Sequence, residues 1–269
     1  MTLIFLHIPK AGGSTFNEIL KREFHNKNTY QLKFNDIEKF KAHIKKNKPH
    51  IDLLKGHLPF GLHELFSDQT RYITFLRSPT SRVISYYNYI LDTPSHYLYS
   101  KVAKKEMPIE DFVISDLTTE IDNGQVRFLS STNDSKHQIS ENTLEIAKNN
   151  LDLYFEVGIT EKFDKSLICF FERKILVKSP LYVKANVARK AKKKVGKNII
   201  DLIEKRNIYD IALYTYGNKI LEDRIKEIPN FDNKLDEFII NNIEYLKKNG
   251  GFWYQIPTIL KRQFRKIFY

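Results

Sequence analysis

Leu3-Ile4-Phe5-Leu6-His7-Ile8-Pro9-Lys10-Ala11-Gly12-Gly13-Ser14-Thr15-Phe16 is the stretch on which the fold turns. Its opening apolar run is continuous rather than alternating, which suits a strand buried on both faces of a parallel sheet. Downstream, Phe16, Ile19, Leu20 and Phe24 recur at helical spacing, so the glycine pair lies on a turn from strand into helix. Glycines there let backbone N–H groups approach an anion, and the helix N-terminus adds a favourable dipole. Lys10, Ser14 and Thr15 supply further donors. The unit is an anion cradle, but not the usual NTPase loop, because the lysine precedes the glycines.

Working outward, Asp36 to Lys46 reads as a helix with Ile37, Phe40 and Ile44 inward, and Ile51 to His57 as a strand. Tyr72 to Leu76 is a further buried strand. Ser78 then serves as N-cap and Pro79 as first helical residue of a helix to Leu91, with Val83, Ile84, Tyr87 and Leu91 expected on its inner face. Helices are expected over Ile109 to Ile114, Glu120 to Leu129, Glu141 to Leu151, Phe163 to Leu176, Asn198 to Arg206, Ile208 to Ile225 and Leu235 to Lys247. One more strand, Tyr154 to Ile159, interrupts them. Strands alternating with helices predict an α/β, three-layer domain around a central parallel sheet.

A second anion site is expected at Arg77 and Ser85. Arg77 ends a strand, where α/β sheets bind ligands, and offers a planar fork suited to phosphate; the Ser85 hydroxyl adds one bond from the following helix. The net charge of +12, from 44 Lys and Arg against 32 Asp and Glu, favours an anionic ligand, polymer or surface. Cys169 is the single cysteine, which excludes an internal disulfide and cysteine-type zinc clusters. His7, His57 and His63 fall on separate elements, so no metal site is expected. With no membrane-length apolar run and no signal-peptide start, a cytoplasmic chain is expected.

Phe5 to Thr15 resembles the 5'-phosphosulfate loop of sulfotransferases, particularly the carbohydrate enzymes related to heparan sulfate 2-O- and 6-O-sulfotransferases and their bacterial relatives. Phe75-Leu76-Arg77-Ser78-Pro79-Thr80-Ser81-Arg82-Val83-Ile84-Ser85-Tyr86-Tyr87 is similar to their 3'-phosphate motif. Weaker likenesses lie in Gly56 to His63, in Asp122 to Leu129 with its Asn-Gly-Gln-Val-Arg core, in Phe155 to Asp164, and in Asn207 to Tyr214 with Asp210 and Leu213. Ala11 stands where the family often has Thr.

The resemblance covers residues 1 to 225 and implies a P-loop-like sulfotransferase domain, with residues 226 to 269 as a helical extension. It implies the donor PAPS (3'-phosphoadenosine 5'-phosphosulfate), leaving as PAP without a metal, and a carbohydrate acceptor, whether polysaccharide, glycolipid or oligosaccharide. Lys10 would meet the bridging oxygen; Ala11, Gly12, Gly13, Ser14 and Thr15 would hold the phosphosulfate, and Arg77 and Ser85 the 3'-phosphate. Arg189, beside Lys190, is similar in position to a late basic element that closes over the donor. The implied general base is His57, with His63 as runner-up.

Two other readings were open. A P-loop nucleotide kinase shares the cradle but requires a lysine after the second glycine and a magnesium-binding acid. A non-enzymatic polyanion or nucleic-acid binder fits the charge and the 15 Tyr and 19 Phe, yet most of those aromatics fall on apolar faces, so no nucleic-acid partner is expected. Gly250 to Tyr269 reads as a basic amphipathic segment suited to peripheral contact with a membrane or polyanion.

Overall fold

The computed structural model describes residues 1–33, 36–67, 69–132, 138–185 and 195–249. Arg189 and the segment 250–269 lie outside the described residues. Five parallel strands, β1 (Thr2–Leu6), β2 (Thr29–Leu32), β3 (Leu53–Gly56), β4 (Thr70–Leu76) and β5 (Phe155–Ile159), form one sheet in the order β2-β3-β1-β4-β5. Every residue of β1 and of β5 is buried, which is why Leu3 to Leu6 runs apolar without alternation and why Glu156 in β5 is paired to Arg173 and Arg224. Register sets Ile4 beside Leu54 and Tyr72, and Tyr72 beside Phe155.

From β1 the chain passes through α1 (Gly13–Glu23), β2 and α2 (Ile37–Asn47) to β3, all on one side of β1. From β4 it runs the other way, through α3 (Pro79–Asp92), α4 (Tyr99–Val102), α5 (Ile109–Ile114), α6 (Gly124–Ser130) and α7 (Glu141–Tyr154), to β5. Connections thus diverge between neighbouring strands β1 and β4, and such a switch point opens a crevice at the carboxyl ends of the strands.

Alternate residues of β4 show the three layers. The Phe75 ring meets Phe16 of α1 at 5.0 Å and Phe163 and Phe170 of α8 (Phe163–Glu172) at 4.9 and 5.6 Å. Leu76 points the opposite way, onto Gly217 of α10 (Ile208–Lys226), which follows α9 (Lys197–Arg206). Fully burying one such side chain is worth about 1.5–3 kcal/mol relative to exposure. In α11 (Phe231–Lys248), Phe231 and Phe238 join the same core, and Leu246 is buried as well. Arg22 of α1 donates to the Tyr245 hydroxyl at 2.9 Å, and the Tyr182 N–H to the Asn242 side chain at 2.8 Å. A smaller core gathers Val83, Tyr86 and Ile90 of α3 with Phe112, Val113, Ile199 and Ile203. Among the described residues no helix is long and apolar enough to cross a membrane.

Four local differences from the expected elements have physical causes. The inner face of α3 is Arg82, Val83, Tyr86 and Ile90, one residue back from the expected set, a rotation of about 100°; Leu91 is exposed. Arg82 occupies a core position because two carboxylates neutralise it. The helix expected over Glu120 to Leu129 breaks at Asn123, whose φ is 48°, a conformation that asparagine tolerates better than most residues. Helix α8 stops at Glu172 rather than Leu176, with Lys174 left-handed at φ 57°. Strand β2 had no apolar run to announce it, since it lies at the sheet edge with only Leu32 buried.

Candidate active site

The crevice between β1 and β4 is walled by the loop that follows each strand. After β1, Lys10 adopts a left-handed backbone (φ 64°) and Gly12 stands at the N-cap of α1 with φ 81°, without a side-chain cap. The first turn of a helix has N–H groups with no intrahelical acceptor, so an uncapped start offers them to an anion. Thr15 is buried, and its hydroxyl oxygen accepts from the Ala185 N–H at 3.1 Å. Ala11 is also buried, and its N–H turns back to the Ile8 carbonyl at 3.3 Å.

After β4, Arg77 reaches across: its Nη1 donates to the Lys10 carbonyl at 2.8 Å. Its Nε is buried and has no hydrogen-bond partner; the nearest carboxylate oxygen, of Glu161, is 3.9 Å away. Glu161 itself accepts from the Ser78 N–H and the Tyr214 hydroxyl, both at 3.1 Å. Burial draws the Arg77 pKa down and Glu161 raises it; a guanidinium stays charged at neutral pH regardless. Ser85 is half-buried on α3, two turns beyond Arg77.

Behind Arg77 lies a layer of buried hydrogen bonds that explains the weaker sequence likenesses. The Gln125 side chain clamps both backbone groups of Arg77, accepting from its N–H and donating to its carbonyl at 2.9 Å each. Asp210 accepts from the Gln125 and Val126 N–H groups at 3.1 and 2.9 Å, capping α6 from α10. The Asn123 side chain returns the arrangement, accepting from the Tyr209 and Asp210 N–H groups at 3.0 Å each. Asn207 accepts from the Asn123 N–H and donates to the Ile121 and Ile203 carbonyls. The Gln125 side chain is thus bonded to the Arg77 backbone; Arg127 is buried and paired to Asp122 at 2.6 Å.

Arg82 anchors this layer. It is fully buried, with Nη1 3.0 Å from Glu120 and Nη2 3.5 Å from Asp210. A Cβ on Gly124 would stand 2.6 Å from its guanidinium, so only glycine fits there. The signal in the sequence was positional: Arg82 falls in step with Pro79, Tyr86 and Ile90, and its charge hid that stripe.

The histidines separate. The His57 Nδ1 lies 2.7 Å from the His7 carbonyl. A carbonyl only accepts, so Nδ1 carries the proton and Nε2 the lone pair. The two rings are 4.4 Å apart, and the His7 ring also stacks on Phe5 at 5.3 Å. Burial, then His57 and Lys10, hold the His7 pKa down at about 3. His57 is solvent-exposed, yet the surrounding protein lowers its pKa too; the His7 carbonyl opposes this and Lys10 adds to it. Both imidazoles are neutral at pH 7. His63 sits elsewhere: its Nδ1 is 3.2 Å from the Tyr72 hydroxyl, and its ring packs on Tyr154 and Phe60 at 4.7 and 5.1 Å. Tyr72 precedes the carboxyl end of β4 by four residues, which puts His63 well back from the crevice mouth.

The His7 ring also explains Gly13. A Cβ there would stand 1.9 Å from His7 Nε2, so Gly13→Ala must displace the ring that backs His57. The expected cost is about 1–3 kcal/mol of stability, as for other overpacked sites, read from urea denaturation. Loss below about 0.5 kcal/mol, the usual surface value, would show that the ring moves freely.

The model of the sulfotransferase family matches residues 1–217. No curated protein matches. Among solved structures, the chain aligns with mouse sulfotransferase SULT7A1 complexed with PAP, at 14% identity and a TM-score of 0.38, over 93% of this chain and 88% of that one. With the family pattern running from β1 into α10, the chain belongs to the sulfotransferase family.

Proposed function

We propose that the protein transfers a sulfuryl group from PAPS to a hydroxyl of a carbohydrate. The observation that carries this reading is the bond from Arg77 to the Lys10 carbonyl, 2.8 Å long, which unites two cationic loops at one switch point. The residues fit the donor: α1 begins without a side-chain cap, and the buried Nε of Arg77 lacks an acceptor. Leaving a buried donor unpaired costs about 1–3 kcal/mol, a cost that a phosphate oxygen would remove.

PAPS, when bound, supplies the sulfuryl group and departs as PAP. Gly12, Gly13, Ser14 and Thr15 hold its 5' end through the first turn of α1, while Arg77 and Ser85 bind the 3'-phosphate. The Lys10 ammonium neutralises charge on the leaving phosphate, the electrostatic role that dominates transfer between oxygens. His57 takes the acceptor proton at Nε2, and the His7 carbonyl holds Nδ1–H so that the resulting imidazolium keeps its orientation. Its place after the carboxyl end of β3, beside Lys10, favours His57 over His63. The carbohydrate acceptor rests on the likeness of Phe5 to Thr15 and of Phe75 to Tyr87 to the carbohydrate enzymes.

PAP should raise the melting temperature more than AMP or ATP does, without added metal, because a ligand bound only to the native state stabilises it by mass action. Arg77→Ala should remove most of the difference between PAP and AMP. Equal shifts for the two nucleotides in the wild type, or a shift abolished by EDTA, would reject the donor assignment.

A further inference from the structure

On α3, one turn beyond Ser85, Tyr89 presents its ring on the same side of the helix. Tyr89 is 41% exposed, and the Lys10 ammonium stands 3.9 Å from its ring centroid. His96 meets Tyr89 edge-on at 5.5 Å and stacks at 4.7 Å on Tyr97, which is 67% exposed. Core packing explains neither exposed ring. Tyr97 is nonetheless fixed, its hydroxyl 3.2 Å from Thr118 and 3.3 Å from the Tyr86 hydroxyl. His96 is fixed as well: its Nδ1 accepts from the Leu98 N–H at 3.2 Å, which leaves the proton of the neutral ring on Nε2. Desolvation lowers the pKa of both His57 and His96, and Lys10 adds to the lowering in each, so it lies within electrostatic reach of a proton acceptor and of a proton donor.

A rigid, exposed aromatic pair with an N–H beside it matches a pyranose ring, whose C–H face is apolar and whose rim carries hydroxyls. We propose that Tyr89, with His96 and Tyr97, forms the platform on which the acceptor sugar stacks, and that donor binding uncovers it. The second half follows from Lys10. While its ammonium covers the Tyr89 ring, the face is closed to a sugar. A contact of this exposed kind is worth only about two- to fivefold in equilibrium, so a phosphosulfate readily draws the ammonium away. Binding is then ordered, donor before acceptor. This inference rests on the carbohydrate reading above.

The test is retention of the full chain on an array of neutral and uronic-acid-containing oligosaccharides, with and without saturating PAP. PAP-loaded wild type and Tyr89→Phe should retain the same glycans, and retention should fall about tenfold when PAP is omitted or Tyr89 is replaced by Leu. Calorimetric PAP affinity of Tyr89→Leu should match the wild type or exceed it by up to about fivefold, since Lys10 is released. Wild-type retention in Tyr89→Leu overturns the platform and leaves the carbohydrate reading standing. Equal retention with and without PAP, lost in Tyr89→Leu, overturns the uncovering step. Failure of the PAP-loaded wild type to retain any glycan removes the carbohydrate reading and the platform together.

Discussion

Replacing His57 by Ala should lower kcat by roughly 10²- to 10⁴-fold, the usual yield of a positioned base, while PAP affinity stays within about threefold. The argument is one of geometry. An acceptor hydroxyl is a poor nucleophile at neutral pH, and the Nδ1–H bond to the His7 carbonyl leaves the His57 Nε2 lone pair able to accept a proton. The pH profile carries the sign. A protonated imidazole cannot accept a proton, so activity must fall as pH drops through the His57 pKa of the folded protein. Desolvation of the ring by the surrounding protein, with Lys10 adding to it, places that pKa below its ordinary value of 6.5, so kcat/KM should stay level from pH 8 down past pH 6.5 before it declines. A decline centred above 6.5, or near-normal kcat in the Ala variant with a large loss in His63→Ala, would move the base to another group.

Arg82→Met carries the largest expected loss of stability, about 3–5 kcal/mol, the cost of breaking a buried ion pair by removing one partner. Here one cation serves two carboxylates. Burial raises the pKa of both Glu120 and Asp210, and Arg82 opposes that rise in each. Without the guanidinium they are left to share a dry site as like charges or to take up protons. The damage should also reach the ligand, because Asp210 caps α6 and α6 carries the Gln125 clamp on Arg77. Urea denaturation, with the PAP-minus-AMP melting shift as second readout, checks both parts. A loss under about 1 kcal/mol, ordinary for an average substitution, would mean that the triad is not the anchor described.

The architecture was legible where burial was two-sided. Continuous apolar runs such as Leu3 to Leu6 and Tyr72 to Leu76 announce central strands, because they are too short for a buried helix and are bounded by turn residues. Strand β2 was illegible for the converse reason: at an edge, one buried residue suffices. The two loops were legible as strand-to-helix turns, because the glycine pair after β1 and Ser78-Pro79 after β4 mark where a helix begins. The roles of Gln125, Asn123 and Asp210 were not, since each acts on a backbone group distant in sequence, as when Asp210 caps α6 from 84 residues away. Polarity also misled at Arg82, where a charged side chain was assigned outward and turned the expected face of α3 by one residue. Tyr89 and His96 left no pattern at all; only their convergence on Lys10 singles them out.

Arg77's bond to the Lys10 carbonyl does more than close the crevice. It joins the ends of β1 and β4, which are already parallel neighbours in the sheet, so the two loops cannot drift apart. Such a crevice works as a caliper. On the proposed donor reading, it would gauge the span across a ribose from the 5' to the 3' substituent. The spacing of the two loops then matters alongside their charge, and one residue inserted between Leu76 and Arg77 should weaken PAP binding while leaving every charged group in place.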